Sequence, residues 1–248
     1  MPVHFAGNPA ELKKIYAIAK KYKLLVIEDG AQALGASYGN KKIGASGADM
    51  VTFSFHPVKS ITTGEGGAVV TNSKAYYEHM LRLRSHGISK DKDGFNVMTE
   101  LAYNYRMPDI NAALGTSQLT RLEKFIKERQ KVVGWYEKEL SNIPGIILPR
   151  ATKGAVSAWH LYVIRTKAAS DRLPLYNFLK AKNIGVNFHY PAVYSHQYYR
   201  EHGFARFALP EMDRYHNGAI TIPLYQDLKK SDVVYIANSI KEYFGILP

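Results

Sequence analysis

The sequence predicts an α/β fold: a mostly parallel sheet with helices against it, followed by a smaller α+β unit. Three observations carry that expectation. A short, continuously apolar run lies at residues 24–27, and residues 50–55 and 68–71 read as further buried strands. Helical apolar spacing flanks them, and the order helix, strand, strand, strand, helix fills the first half of the chain. Runs of that length without alternation suit strands buried on both faces.

Asn8, Pro9 and Glu11 supply a capping residue, a proline at the first helical position and a first-turn acid. Apolar Leu12, Ile15, Ala19 and Tyr22 follow, so a helix should start there. Residues 24–27 read as the first strand, with Asp29 just past its carboxyl end. Residues 50–55 and 68–71 read as further buried strands, and 74–84 as a helix. Pro108 opens one long helix through Leu119, Leu122, Ile126, Val133, Tyr136 and Leu140, a single apolar stripe that ends within 141–145. Beyond it, a strand at 160–166, a helix at 172–182, a segment at 185–190 and a final helix at 230–243 make the smaller unit. Two domains are expected, 1–145 and 146–248, and the absence of a Gly/Ser linker predicts that they pack closely.

Composition narrows the function. With 248 residues and 46% apolar content the chain can bury a sizeable core. No apolar run approaches the roughly 20 residues of a membrane span, and residues 1–7 do not read as a signal peptide, so a cytoplasmic chain with no membrane partner is expected. The lack of cysteine removes disulfides, thiolate metal ligands and a cysteine nucleophile, and no metal site is expected. The net charge of +12 raises the question of nucleic acid. Its lysines sit on helices, however: Lys13, Lys14, Lys20, Lys21 and Lys23 in or just after one, and Lys124, Lys127, Arg129 and Lys131 interleaved with Glu123 and Glu128 on another. These are solvated faces, and with no zinc-finger spacing the expected partner is a phosphate-bearing small molecule rather than nucleic acid.

Two segments stand out for chemistry, VIEDGAQALG at 26–35 and SFHPVKSITTGEGG at 54–67. Loops beyond the carboxyl ends of strands in an open α/β sheet meet in one crevice, so Asp29 and Lys59 could converge there. That pairing suggests pyridoxal 5′-phosphate (PLP): an amine to hold the cofactor as an imine, and a carboxylate to keep its ring nitrogen protonated. Taken singly, each residue has a plainer reading. Lys59 is one of 33 basic residues, Asp29 could cap a helix, and Ser54 could be a small strand residue. Gly64, Gly66 and Gly67 fit a tight turn and lack the Walker pattern of a phosphate loop.

With RSHG at 84–87, YNYRMPDIN at 103–111 and His189-Tyr190-Pro191, these segments resemble the DegT/StrS-type sugar aminotransferases, which have the aspartate aminotransferase fold. The resemblance implies a partial PLP-transferase large domain followed by a small C-terminal domain. It is nearest to members that aminate C4 of nucleotide-linked 4-keto-6-deoxy sugars, including the pseudaminic acid pathway enzyme. It implies that Asp29 pairs with the ring nitrogen, Gln32 bonds the ring hydroxyl, Ser54 binds the phosphate and Lys59 holds the cofactor and then shuttles the proton. Asn104 would reach the cofactor of a second subunit, making a homodimer with a shared site. Arg106, His189 and Tyr190 would contact the donor carboxylate or the sugar, and the donor would be glutamate. Some members carry histidine at the lysine position and act as dehydratases, and Lys59 argues against that branch.

Family members begin upstream, with a Gly-Thr or Gly-Ser phosphate-binding turn and an aromatic residue that stacks on the cofactor, neither of which occurs here. The expectation is an incomplete large domain, weak PLP binding by this chain alone and exposed apolar surface. A noncatalytic fragment or accessory subunit that pairs with a full-length homologue is the alternative reading.

Overall fold

The computed structural model describes residues 1–203 and 209–246. From the N-terminus come α1 (Leu12–Tyr22), β1 (Ile27–Asp29), β2 (Ser37–Tyr38), β3 (Lys41–Lys42), β4 (Met50–Ser54) and β5 (Gly67–Val70). Next are α2 (Lys74–Arg84), β6 (Ile88–Lys90), β7 (Asn96–Met98), α3 (Asp109–Leu119) and α4 (Leu122–Leu140). The remainder is β8 (Ile146–Ile147), β9 (Ala155–Val156), β10 (Tyr162–Thr166), α5 (Arg172–Ala181), α6 (Gln197–Glu201), α7 (Pro210–His216), β11 (Ala219–Ile222) and α8 (Lys230–Tyr243).

The chain divides into two compact units. One comprises residues 1–124 with 151–158, the other residues 125–150 with the chain from Trp159 onward. In the first, β1, β4 and β5 form a sheet in that order, β1 parallel to β4 and β4 antiparallel to β5. Val3 extends it by a parallel bridge to Asp29. The sheet is thus mixed where a mostly parallel one was expected, because the loop that follows β4 returns directly as a hairpin. The first strand also forms later than the apolar run suggests. Leu24 and Leu25 are 58% and 63% exposed, and pairing starts at Ile27 opposite Met50. Hydrophobicity marked that run, but hydrogen-bond partners define the strand.

The start of α1 differs for a similar reason. The Asn8 Oδ1 accepts from the Thr152 amide at 3.0 Å, and the helix begins at Leu12 with Glu11 at its cap position. The single long helix expected from Pro108 is two helices. At the break, the Thr120 hydroxyl donates to the Ser117 carbonyl at 2.8 Å and the Arg121 amide bonds Gln118, three residues back, so threonine competes for a carbonyl the ladder would use.

The second unit is built around α4, which the sequence groups with the first domain. Val132, Val133, Tyr136 and Leu140 of α4 pack with Tyr162 and Ile164 of β10, Leu175 and Leu179 of α5, Ile220 and Ile222 of β11, and Val233, Ile236 and Ile240 of α8. Strand β10 runs antiparallel to both β8 and β11. Tyr136 and Tyr162 stack at 4.9 Å, and the Tyr136 hydroxyl donates to the Pro223 carbonyl at 2.7 Å. Arg129, 6% exposed, sends Nη1 to the carbonyls of Trp159, His160 and Leu224 at 3.2, 3.3 and 3.0 Å. Residues 185–190 form no strand and join the sheet only through the Asn187–Thr221 bridge.

Candidate active site

The strands β1 and β4 are parallel neighbours with Asp29 opposite Thr52, so their carboxyl ends lie side by side. From these ends come Asp29, then Ser54, then the lysine loop. Residue 30 must be small for this to happen: a Cβ at Gly30 would stand 3.0 Å from both the Phe53 ring and the Thr52 carbonyl.

The lysine loop is a rigid projection from the β4–β5 hairpin. Its base is closed by Phe55 N–H to Gly66 O at 2.9 Å and Thr63 N–H to Phe55 O at 3.0 Å. Its tip turns through Lys59 N–H to His56 O. Gly66 has φ +152°, and a Cβ there would meet Met107 Cε at 2.5 Å and Thr63 Oγ1 at 2.6 Å. From α3, Asn111 Nδ2 donates to the Thr63 carbonyl at 2.5 Å. Gly115 lets the same helix come so close that a Cβ would sit 2.7 Å from Thr63 Cγ2. Sequence reasoning did not single out Thr63, Asn111 or Gly115 as supports of the loop, although each lies within or beside the motifs it recognised.

Lys59 is half-buried. Burial pushes its ammonium below the ordinary lysine range, and the negative charge of Asp29 works against that shift. The two groups therefore share one electrostatic environment. Asp29 is held on three sides: its amide donates to Pro2 O at 2.9 Å, its carbonyl accepts from His4 N–H at 3.0 Å, and its Oδ1 accepts from Ala31 N–H at 3.0 Å. Gln32 Oε1 accepts from the Ala6 amide at 2.6 Å, which fixes the side chain by its oxygen. The Ser54 hydroxyl accepts from His56 N–H at 3.4 Å, a long contact for a group of this kind.

Asn104 and Arg106 are on a separate exposed segment. Asn104 bridges to Ser85, and its Oδ1 accepts from Arg106 N–H at 3.4 Å. His189 and Tyr190 belong to the second unit. The His189 Nδ1 is 2.8 Å from the Thr221 hydroxyl and its carbonyl accepts from the Tyr215 hydroxyl, so the residue is tied to β11. Tyr190 is 48% exposed.

The largest surprise lies behind Asp29. The preceding residue, Glu28, is fully buried and accepts from His4 Nε2 at 3.0 Å, from Ser46 Oγ at 2.8 Å and from the Tyr16 hydroxyl. Burial alone would push its carboxyl up. The bonds from His4, Tyr16 and Ser46 outweigh that and hold it below the usual carboxylate range. Its position one residue from Asp29, on the opposite face of the strand, was the signal available in the sequence.

The donor set suits PLP. A carboxylate can face the ring nitrogen, a partly desolvated amine can form the imine, an amide can meet the ring hydroxyl, and a hydroxyl at a strand end can meet phosphate. Among the described residues no helix is long and apolar enough to cross a membrane.

Comparison with known proteins agrees in kind. The sequence model of the DegT/DnrJ/EryC1/StrS aminotransferase family matches residues 1–241. The chain is similar to the uncharacterized protein MJ1066 of Methanocaldococcus jannaschii, at 37% identity over 98% of this chain and 66% of that protein. Among solved structures it is similar to Helicobacter pylori PseC, an aminotransferase involved in the biosynthesis of pseudoaminic acid, with TM-score 0.90 and 30% identity over 98% of this chain and 66% of PseC. It is likewise similar to Spr1654 of Streptococcus pneumoniae in its PLP form, with TM-score 0.90 and 26% identity over 100% of this chain and 68% of Spr1654. The chain thus spans just under two thirds of the length of MJ1066 and of PseC.

Proposed function

The chain belongs to the DegT/DnrJ/EryC1/StrS aminotransferase family, and we propose that it serves the PLP-dependent transfer of an amino group from glutamate to a nucleotide-linked 4-keto-6-deoxy sugar. Aminotransferases of this family depend on PLP, and the similarity to PseC, an aminotransferase involved in the biosynthesis of pseudoaminic acid, supports a sugar acceptor. One observation supports the reading: Asp29 and the lysine loop leave the carboxyl ends of neighbouring parallel strands, and the Asp29 charge favours the ammonium form of Lys59.

PLP, when bound, supplies an electron sink for the carbon that loses its proton. The chain's residues do the rest. Lys59 would hold the cofactor through Nζ, and because burial disfavours its charged form, its amine would carry the proton between the donor carbon that loses it and the cofactor carbon that gains it. The Asp29 carboxylate would face the ring nitrogen and favour a proton on it. Gln32 would donate its amide to the ring hydroxyl, and Ser54 would donate its hydroxyl to the phosphate. Asn104 meets the phosphate in a second copy of the chain, so the complete site belongs to a homodimer. Arg106, with its exposed guanidinium, suits a donor carboxylate, and His189 and Tyr190 suit the sugar.

The test is a PLP titration of the purified chain, followed by borohydride reduction and peptide mapping. Pyridoxyl label on Lys59 supports the assignment. Label on a different lysine overturns it.

A further inference from the structure

The Glu28 network has no part in the chemistry just described, yet it is the most deeply buried charged group of the first unit's sheet. His4 and Glu28 are both 0% exposed. The His4 ring is fixed at both nitrogens, with Nδ1 accepting from Ala10 N–H at 3.0 Å and Nε2 therefore donating to Glu28. An apolar pair of similar volume would avoid the cost of desolvating a carboxylate. What the polar pair adds is direction.

That direction leads to the candidate site. The main chain of residues 2–4 supplies two of the bonds that hold Asp29, from Pro2 O and His4 N–H. Two residues later the Ala6 amide holds Gln32. The same segment is anchored at Gly7, whose carbonyl accepts from Ser157 Oγ at 3.0 Å and from Ala158 N–H at 2.9 Å. The His4 ring, locked on Glu28, is the side-chain tie between this segment and β1.

We propose that His4 and Glu28 form a buried positioning pair that sets the placement of the Asp29 carboxylate and the Gln32 amide. The proposal rests on the reading of Asp29 and Lys59 as a cofactor site, but its test needs no cofactor. Lys59 reports the placement of Asp29 directly, because the Asp29 charge favours the ammonium form.

In the full chain without PLP, trace acetylation with acetic anhydride across a pH series, read by mass spectrometry of the Lys59 peptide, gives the reactive fraction of Lys59. Asp29→Asn should raise the Lys59 rate near neutral pH by about tenfold, because loss of the Asp29 charge disfavours the ammonium form. Glu28→Gln and His4→Gln should each raise it about threefold, while Lys131 keeps its wild-type rate and melting stays cooperative. The two variants guard against a folding failure in either one. The pair has no positioning role if both variants melt cooperatively with a wild-type Lys59 rate, or if Asp29→Asn leaves Lys59 unmoved. Loss of a cooperative melt in every His4 and Glu28 variant would likewise mark the pair as a folding element only. PLP titration of the wild-type chain runs alongside: absent uptake would count against the cofactor reading, while the acetylation result still decides the positioning pair.

Discussion

Glu28 and Asp29 are consecutive on β1, yet one carboxylate is sealed among His4, Tyr16 and Ser46 while the other stays half-buried within reach of the Lys59 charge. Strand alternation separates the two faces, so a single dipeptide faces the interior support with one acid and the candidate site with the other.

Asp29→Asn tests the outward acid. The amide keeps the size and can still accept from Ala31 N–H, so PLP retention should fall only a few-fold. Turnover should fall about 100- to 1,000-fold, the usual loss when a preorganised electrostatic contact is removed. Comparison of kcat with the PLP dissociation constant checks this, and wild-type turnover would remove Asp29 from the mechanism.

Glu28→Gln tests the inward acid through pH. The Glu28 carboxyl lies below its ordinary value of 4.5, so its stabilisation is fully present above that value and is lost as pH falls through the folded-state value. At neutral pH the variant should be less stable by about 1–3 kcal/mol, the cost of disturbing buried bonds to a charged acceptor. Below about pH 4 the gap between the two proteins should narrow, because wild type then loses what the variant already lacks. Thermal melts from about pH 3 to 7 read this out, and a gap that stays constant or widens in acid would contradict it.

The parts of the fold that were legible in the sequence are those fixed by local pattern. Helices α2 and α8 begin and end where apolar spacing and flanking residues place them, at Lys74–Arg84 and Lys230–Tyr243. Strand β4 and the lysine loop were readable because the motif carries its own glycines, and Gly66 at φ +152° shows why. Local pattern failed where a distant partner decides. Leu24 and Leu25 look like a strand core, but their neighbours pair elsewhere. Asn8 looks like a cap, but Thr152 takes its oxygen. The ligands of Glu28 stand 12, 18 and 24 residues away, on three different segments, so no window of sequence contains them.

Arg129→Met bears on the second unit. Burial pushes the Arg129 guanidinium below its ordinary range, so placing it inside has a cost. Against that stand its bonds to three carbonyls, two of them at the Trp159 turn, where φ is +48° in the left-handed region. Bonds from a charged donor contribute about 1.5–3 kcal/mol each, so the bonds should win and the variant should lose about 2 kcal/mol or more. Urea unfolding midpoints decide the matter, and a Met variant as stable as wild type would show that the burial cost cancels the bonds.

Gly115→Ala and Gly134→Ala make a matched pair, both glycines within helices and only one against the lysine loop. Alanine in a helix interior gains about 1 kcal/mol over glycine. At Gly134 nothing lies within 4 Å of the new methyl group, so that gain should appear in full as a higher melting temperature with PLP binding unchanged. At Gly115 the methyl would lie 2.7 Å from Thr63 Cγ2. Thr63 has little freedom to yield: it is 2% exposed, its hydroxyl donates to Glu65 O at 2.7 Å, and its carbonyl accepts from Asn111 at 2.5 Å. Overpacking of this kind costs about 1–3 kcal/mol, enough to cancel the helical gain or exceed it. The displacement falls on the loop that carries Lys59, so PLP affinity should drop by about tenfold, equivalent to about 1.4 kcal/mol. Calorimetry and PLP titration on the two variants separate the effects. Equal behaviour of Gly115→Ala and Gly134→Ala would mean that the approach of α3 to Thr63 has no influence on the site.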